Sequence, residues 1–560
     1  MLPRVWTAAA LAVTLFSIPL LADSTTISEA DAKALDQKIM TEAKTKSEII
    51  ANLSHLSDMI GPRLTGSENL KRANDWTAER MKAYGLENVH LEPYEIPVGW
   101  ERGTAAAKFI DPSPGRPILI ASAGWAPGTK GKVEAEVVIF KATKREDLAQ
   151  YKGKLKNAVI LRGEPRKIEP VTTVYQPGQL GPRPMGGGPG GGGAPGGEGR
   201  GRGGNRPAGG PPGDFSSNPA FQQMQQFAQE VRDFLRAEGA VAIFTDSAKP
   251  HGLLVTTGSW RGRERASEQE SIPQLFVAHE HYAQLWRLAS RPAPATTKIE
   301  IEVNNKMIPG PITVYNTVGE IKGSEKPDEF VVVGAHLDSW DLAQGTTDNG
   351  TGSSIVLEVA RILAKSDIKP KRTIRFVLFS GEEQGLHGSR AYCERHKAEL
   401  PKISMALVHD TGTGKVVGFG LQGREVLKPI FEKETASLKE IGFKEITTRG
   451  MGGTDHASFE RAGVPGFACV QDMGEYRFTH HTQSDTLDKA NEENLIQGAQ
   501  VMAVTAMRIA NLDQLLPRDK PKREFPKKDD AKEQKKDDKK DDKKDDKKDP
   551  ERIVAPKRIG

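Results

Sequence analysis

The chain has 560 residues, enough for two or three domains with full cores. Its 79 Lys and Arg against 74 Asp and Glu leave a formal charge of +5, near balance for this length, which gives no argument for an acidic partner. Hydrophobic residues make up only 37%, against 57 Gly and 36 Pro, and both anomalies trace to two local segments, residues 176–214 and 517–560.

In chain order, residues 1–22 read as a secretory signal. Arg4 supplies the positive start, residues 8–18 are apolar but too short to span a bilayer comfortably, Pro19 breaks the run and Ala22 precedes the cut. No other apolar run approaches transmembrane length. The expectation is a secreted or periplasmic protein with no stable membrane span once the signal is cleaved. Cys393 and Cys469 could pair there or stay buried as free thiols, and two cysteines make no disulfide scaffold.

Residues 28–84 read as helices, with Leu35, Ile39, Ile49, Ile50, Leu53 and Ile60 spaced for buried faces. The stretch Gly61-Pro62-Arg63-Leu64-Thr65-Gly66-Ser67 is a turn followed by an N-cap, and Gly85 closes the next helix as a C-cap. Residues 28–98 and 306–516 form one discontinuous domain. Between them, residues 99–305 change texture: short β-rich runs at 117–122, 136–140, 158–161, 240–245 and 274–277, Gly/Pro turns and a helix over 227–238 predict an inserted, mainly β domain. Its own sequence shows no cluster of metal-binding side chains. Residues 176–214 within it are dominated by Gly and Pro and cannot bury enough apolar surface to order themselves. Residues 199–204 look like an RGG-type RNA-binding segment, but a solvated insertion is the simpler reading. In the tail, residues 517–560, Asp cancels Lys, which argues against nucleic acid and for a solvated polyampholyte.

The organising stretch is residues 330–383. The run Phe330-Val331-Val332-Val333-Gly334-Ala335 predicts a strand buried on both faces, ending in His336-Leu337-Asp338. A loop carries Asp348-Asn349-Gly350. Ile355, Val356, Val359, Ala360 and Leu363 recur at helical spacing, and a second strand over 373–380 opens on Gly381-Glu382-Glu383. Further strands over 403–408 and 466–470 lead to Asp410 and to His480-His481, helices are expected over 426–441 and 494–512, and Pro517 ends the folded part. The fold class is therefore α/β, a mixed central sheet flanked by helices with an inserted β domain. Ligands gather beyond the carboxyl ends of strands in such sheets, which is where these groups fall.

Five candidate metal ligands follow: His336, Asp348, Glu383, Asp410 and His481. Imidazole with carboxylate suits zinc better than magnesium or calcium. Two metals sharing Asp348 would use about this many ligands, with Asp348, Glu383 and His481 on one and His336, Asp348 and Asp410 on the other. Glu382, beside a ligand and itself unbound, is free to take a proton. Asp338 can accept the second imidazole N–H of His336 and fix its tautomer, and Asp485 could serve His481 in the same way. Glu382 and Asp338 are thus the expected catalytic groups.

Together with Gly453-Thr454-Asp455-His456-Ala457-Ser458-Phe459 and His481-Thr482-Gln483-Ser484-Asp485-Thr486, these motifs resemble the M28 family of di-zinc exopeptidases. The turn at 61–67 and the stretch 335–341 resemble its carboxypeptidase Q-like branch, and the inserted domain is similar to a protease-associated domain. The resemblance covers about residues 28–516. It implies two Zn2+ per chain on the five ligands, a cis peptide between Asp348 and Asn349, and hydrolysis of short peptides or dipeptides by a metal-bridging hydroxide with Glu382 as general base. It is compatible with a homodimer and calls for no nucleic acid. His481 is the expected ligand because it precedes Thr482 in the family pattern, with the adjacent His480 as fallback. The competing readings are a glutaminyl cyclase-like transferase, which shares the fold with a single zinc, and a non-catalytic peptide-binding protein on a peptidase fold.

Overall fold

The structure, a computed structural model, describes residues 28–168, 219–260, 272–366 and 369–520. The readings placed on residues 1–22, 176–214 and all but the first residues of the 517–560 tail lie outside the described residues.

Four strands, Arg372–Phe379, Lys326–His336, Ile403–Val408 and Gly466–Gln471, lie side by side and parallel at the centre of an eight-stranded sheet. Every residue of the first, third and fourth is buried, as are the last seven of the second, so these strands are covered on both faces and read as continuous apolar runs. Helices Thr351–Ala364 and Glu492–Ala510 pack on one face against Val331, Val333 and Leu407. On the other face, Phe330, Val332, Val377 and Phe379 meet Tyr392 and Phe459 from helices His387–Arg395 and His456–Arg461. The register aligns the strand ends. His336 lies opposite Phe379, Gly334 opposite Val408, and Val408 opposite Ala468. The loops that follow all leave from one edge of the sheet.

Two long antiparallel strands, Glu87–Glu101 and Lys306–Ile321, extend this sheet on one side. Pro93 and Pro97 are tolerated because Glu87–Glu101 is the edge strand. The early helices form as expected: Ser67 accepts from the Leu70 amide as N-cap of Glu68–Tyr84, and Gly85 closes that helix at φ 92°. The stretch expected to be helical over 426–441 is three short pieces, Glu425–Leu427, Lys428–Glu434 and Ala436–Ile441.

Residues 105–303 supply a second eight-stranded sheet. It is less purely β than the sequence suggests. Val133–Phe140, Ala158–Arg162, Ala242–Asp246 and Gln274–Val277 run parallel, with helix Pro219–Ala237 crossing between two of them and His279–Ala289 packed alongside. Cys393 and Cys469 are buried free thiols, each raised by burial. No described helix is long and apolar enough to cross a membrane.

One buried carboxylate ties the edge strand to the sheet's outer helix. Glu92 is 3% exposed and accepts from His396 Nε2 at 2.7 Å and His90 Nε2 at 3.2 Å. Burial pushes its carboxyl up, but the hydrogen bonds from His396 and His90 outweigh it and hold it down at about 2, below its ordinary 4.5. A folded value below the unfolded one gives stability that is present above the unfolded value and lost as pH falls through the folded one. The stability gap between wild type and Glu92→Gln, measured by urea unfolding, should therefore close as pH falls between about pH 4.5 and 2, and should also narrow above about pH 6.5 as His90, raised by its hydrogen bond to Glu92, loses its proton. A gap that stays constant down to about pH 2 contradicts this.

Candidate metal centre

The five expected ligands converge at the edge where the parallel strands end. His336 is fully buried, and its Nε2 lies 3.1 Å from Asp410 Oδ1 and 3.4 Å from Asp348 Oδ1. The other oxygen of Asp348, Oδ2, lies 3.4 Å from His481 Nε2, which is itself 2.9 Å from Glu383 Oε2. Asp348 thus stands between two clusters and turns one oxygen to each. His480 is also close. Its ring stacks on that of His481 at 3.7 Å, its Nε2 is 3.9 Å from Asp348 Oδ2, and Asp348, His480 and His481 present ligand atoms all within 4.8 Å of one another. A second such group is His336, Asp348 and Asp410.

The loop bearing Asp348 is held from several sides. The Asp348–Asn349 peptide is cis, as the resemblance implies. The Asn349 side chain donates to the His409 carbonyl at 2.8 Å and accepts from the Gly352 amide at 3.0 Å, locking this loop to the strand end that carries Asp410. A Cβ on Gly352 would stand 2.4 Å from Asn349 Oδ1 and 2.5 Å from the His409 carbonyl, so only glycine fits.

Two orienting roles differ from expectation. His336 Nδ1 meets the backbone carbonyl of Asp338 at 2.9 Å, while the Asp338 carboxylate is 3.7 Å away. That carboxylate is engaged elsewhere, accepting from Thr65 Oγ1 at 3.0 Å and from the amides of Glu382 and Glu383 at 3.2 and 3.3 Å. It shapes the loop that carries both glutamates. Asp485 does not reach His481. It accepts from the amides of Thr347 and Asp348 at 2.5 and 3.2 Å and so anchors the Asp348 backbone.

Sequence reading missed Arg63, seen only as part of a turn. Its buried guanidinium donates to five backbone carbonyls: Leu337 at 2.8 Å, Leu56 at 3.2 Å, Gly61 at 3.1 Å, Gln344 at 2.9 Å and Gly345 at 2.6 Å. It therefore clamps the loop after His336 to the loop before Asp348. Burial lowers it to about 10, with Asp485, Asp338 and Asp348 opposing, so it remains a cation at neutral pH.

The electrostatics are those of a site short of positive charge. Burial raises Glu382 well above its ordinary value, with Asp410, Glu383 and Asp455 adding and His336 opposing. Glu383 is raised likewise by burial and then by Asp348. Burial pushes Asp455 up to about 7. Burial pulls His336 down, but Asp410 first, then Asp338 and Asp348, outweigh it and raise it well above the ordinary range. Burial lowers His481 to about 4 and His480 to about 3, leaving neutral imidazoles, the form that ligates metal. Asp348 Oδ2 and Glu383 Oε1 are buried without a hydrogen-bond partner. Buried oxygens left bare beside neutral imidazoles fit divalent cations.

Comparison with known proteins agrees with this chemistry. Residues 316–506 match the model of Peptidase family M28. The chain is 29% identical over 476 residues to carboxypeptidase Q of Mus musculus, spanning 85% of this chain and 88% of that protein, and 28% identical to the Homo sapiens protein over the same shares. Among solved structures it is similar to a peptidase M28 precursor from Shewanella amazonensis, with TM-score 0.68, 26% identity and coverage of 89% of this chain and 100% of that one. It shares the fold of a zinc aminopeptidase from Bacillus subtilis, with TM-score 0.55, 20% identity and coverage of 82% and 94%. Fold, donor set and relatives define a metallo-exopeptidase hydrolase. Over residues 316–506 the chain is thus similar to peptidase family M28.

Arg63 yields a prediction. Arg63→Met would leave five carbonyls without their donor and should lower stability by about 4 kcal/mol in urea unfolding. A loss below about 1 kcal/mol contradicts the clamp.

Proposed function

We propose that this protein is a zinc-dependent exopeptidase that hydrolyses short peptides, binds two Zn2+ per chain, and acts outside the cytoplasm after removal of residues 1–22. The observation that carries the reading is Asp348, whose two oxygens face two separate histidine–carboxylate clusters at 3.4 Å each. His336, Asp348 and Asp410 would hold one zinc, and Asp348, Glu383 and His481 the other. Zinc bound there supplies a Lewis acid and an acidified water.

The rest is done by the chain's own side chains. Glu382 takes the proton of the attacking water as its oxygen adds to the scissile carbonyl. It then gives that proton to the amine nitrogen as the C–N bond breaks, leaving a free carboxyl and a free amine. Burial of the Glu382 carboxyl strengthens its hold on a proton. Asp338 keeps Glu382 in place through its amide at 3.2 Å. We read the second sheet as a protease-associated-like insertion. It reaches the loop after His336 through Gly124, where a Cβ would stand 2.6 Å from the Trp340 ring, and the Arg102–Asp341 ion pair at 2.7 Å lies at its junction with the first sheet, contacts that would favour short substrates.

Two results are expected. Elemental analysis should find two zinc ions per chain; chelation should abolish hydrolysis of a dipeptide panel and zinc should restore it. One zinc per chain would favour the glutaminyl cyclase-like transferase. Glu382→Gln should keep both metals and lose about 10²–10⁴-fold in kcat. Full turnover in that variant removes Glu382 from the role. Peptides blocked at one terminus identify which end is trimmed.

A further inference from the structure

The loop that carries His480 and His481 is held from outside its own sheet. Residues 249–256 belong to the inserted domain, more than 220 positions earlier, yet they lie along residues 477–483. The Thr256 amide donates to the His481 carbonyl at 2.9 Å. Val255 and Thr482 form an antiparallel bridge. The Leu254 amide donates to Gln483 Oε1 at 2.6 Å, and Gln483 Nε2 donates back to the Gly252 carbonyl at 3.2 Å. Lys249 Nζ donates to the Arg477 carbonyl and, at 3.5 Å, to the His480 carbonyl. The segment is itself fixed to its domain, because Glu280 accepts from the amides of His251 and Gly252 at 2.8 and 3.1 Å.

His481 needs such support. It sits at φ 60°, a left-handed conformation that a residue with a Cβ rarely adopts. The bond at its carbonyl and the bridge at the next residue fix that conformation from the inserted domain's side.

We infer that residues 249–256 of the inserted domain are a positioning element of the metal centre, with Lys249 and Gln483 as its positioning residues. They hold His481 where it faces Asp348 and Glu383. The inference rests on the two-metal reading and deepens it: the inserted domain sets the affinity of the zinc on the His481 side.

The charge of Lys249 makes the inference testable by sign. Burial lowers its amine to about 8, so it is a cation at neutral pH, and Asp348 acts on it electrostatically. A cation near a metal position repels the metal, so its removal would tighten zinc binding if charge alone mattered. If Lys249 positions the His481 loop, its removal weakens binding. The experiment is a chelator-competed zinc titration of the full-length wild type, Lys249→Met and Gln483→Ala near pH 7, with a Co2+ absorption spectrum as a second readout of ligand geometry. Wild type should bind two equivalents. Each variant should bind one equivalent as wild type does and the other about 10–100-fold more weakly, with an altered Co2+ spectrum. Gln483→Ala removes no charge, so it keeps the test decisive should Lys249→Met fail to fold. Two equivalents at unchanged or tighter affinity in the variants overturn this inference alone. Fewer than two equivalents in wild type overturn the two-metal reading and this inference with it.

Discussion

Crowding of buried negative charge is the constraint on which this molecule depends. Asp338, Asp348, Glu382, Asp455 and Asp485 are all buried, and the side chains of Glu383 and Asp410 are 2% and 9% exposed. All seven gather at one edge of one sheet. Among the described residues, Arg63 and Lys249 are nearby cations, and Asp410 outweighs burial to raise His336. Carboxylates at such density protonate or take up cations, and raised values at Glu382, Glu383, Asp455 and Asp485 mark the shortfall of positive charge.

The fold brings these groups together through register and keeps them there through backbone bonds. The ends of neighbouring strands align within three residues, so each loop begins at the same edge. The loops are then fixed by side chains bonding to main chain: Arg63 on carbonyls, Asp338 on the amides of Glu382 and Glu383, Asp485 on the amides of Thr347 and Asp348. Carboxylates within two to four residues of a histidine were expected to orient that histidine. In the fold they orient neighbouring loops, because amide donors of those loops lie nearer than the imidazole does.

The parallel strands were legible in the sequence because strands covered on both faces are unbroken β-branched runs, as at Val331-Val332-Val333 and 403–408. The candidate ligands were legible for the same reason, since each comes directly after such a run or in the loop it opens. The long strands Glu87–Glu101 and Lys306–Ile321 were less visible. Their prolines and half-exposed residues suit an edge but blur any period. The clamp by Arg63 and the docking of 249–256 were not legible at all. Both join segments more than 200 residues apart through backbone groups, and backbone groups leave no mark on residue type.

The most direct test of the central claim is anomalous X-ray scattering at the zinc edge from crystals of the zinc-loaded protein. The charge distribution calls for two peaks about 3.5–4 Å apart on either side of Asp348. One should lie with His336 and Asp410, the other with Glu383 and His481. A single peak, or two peaks that do not share Asp348, would contradict the account.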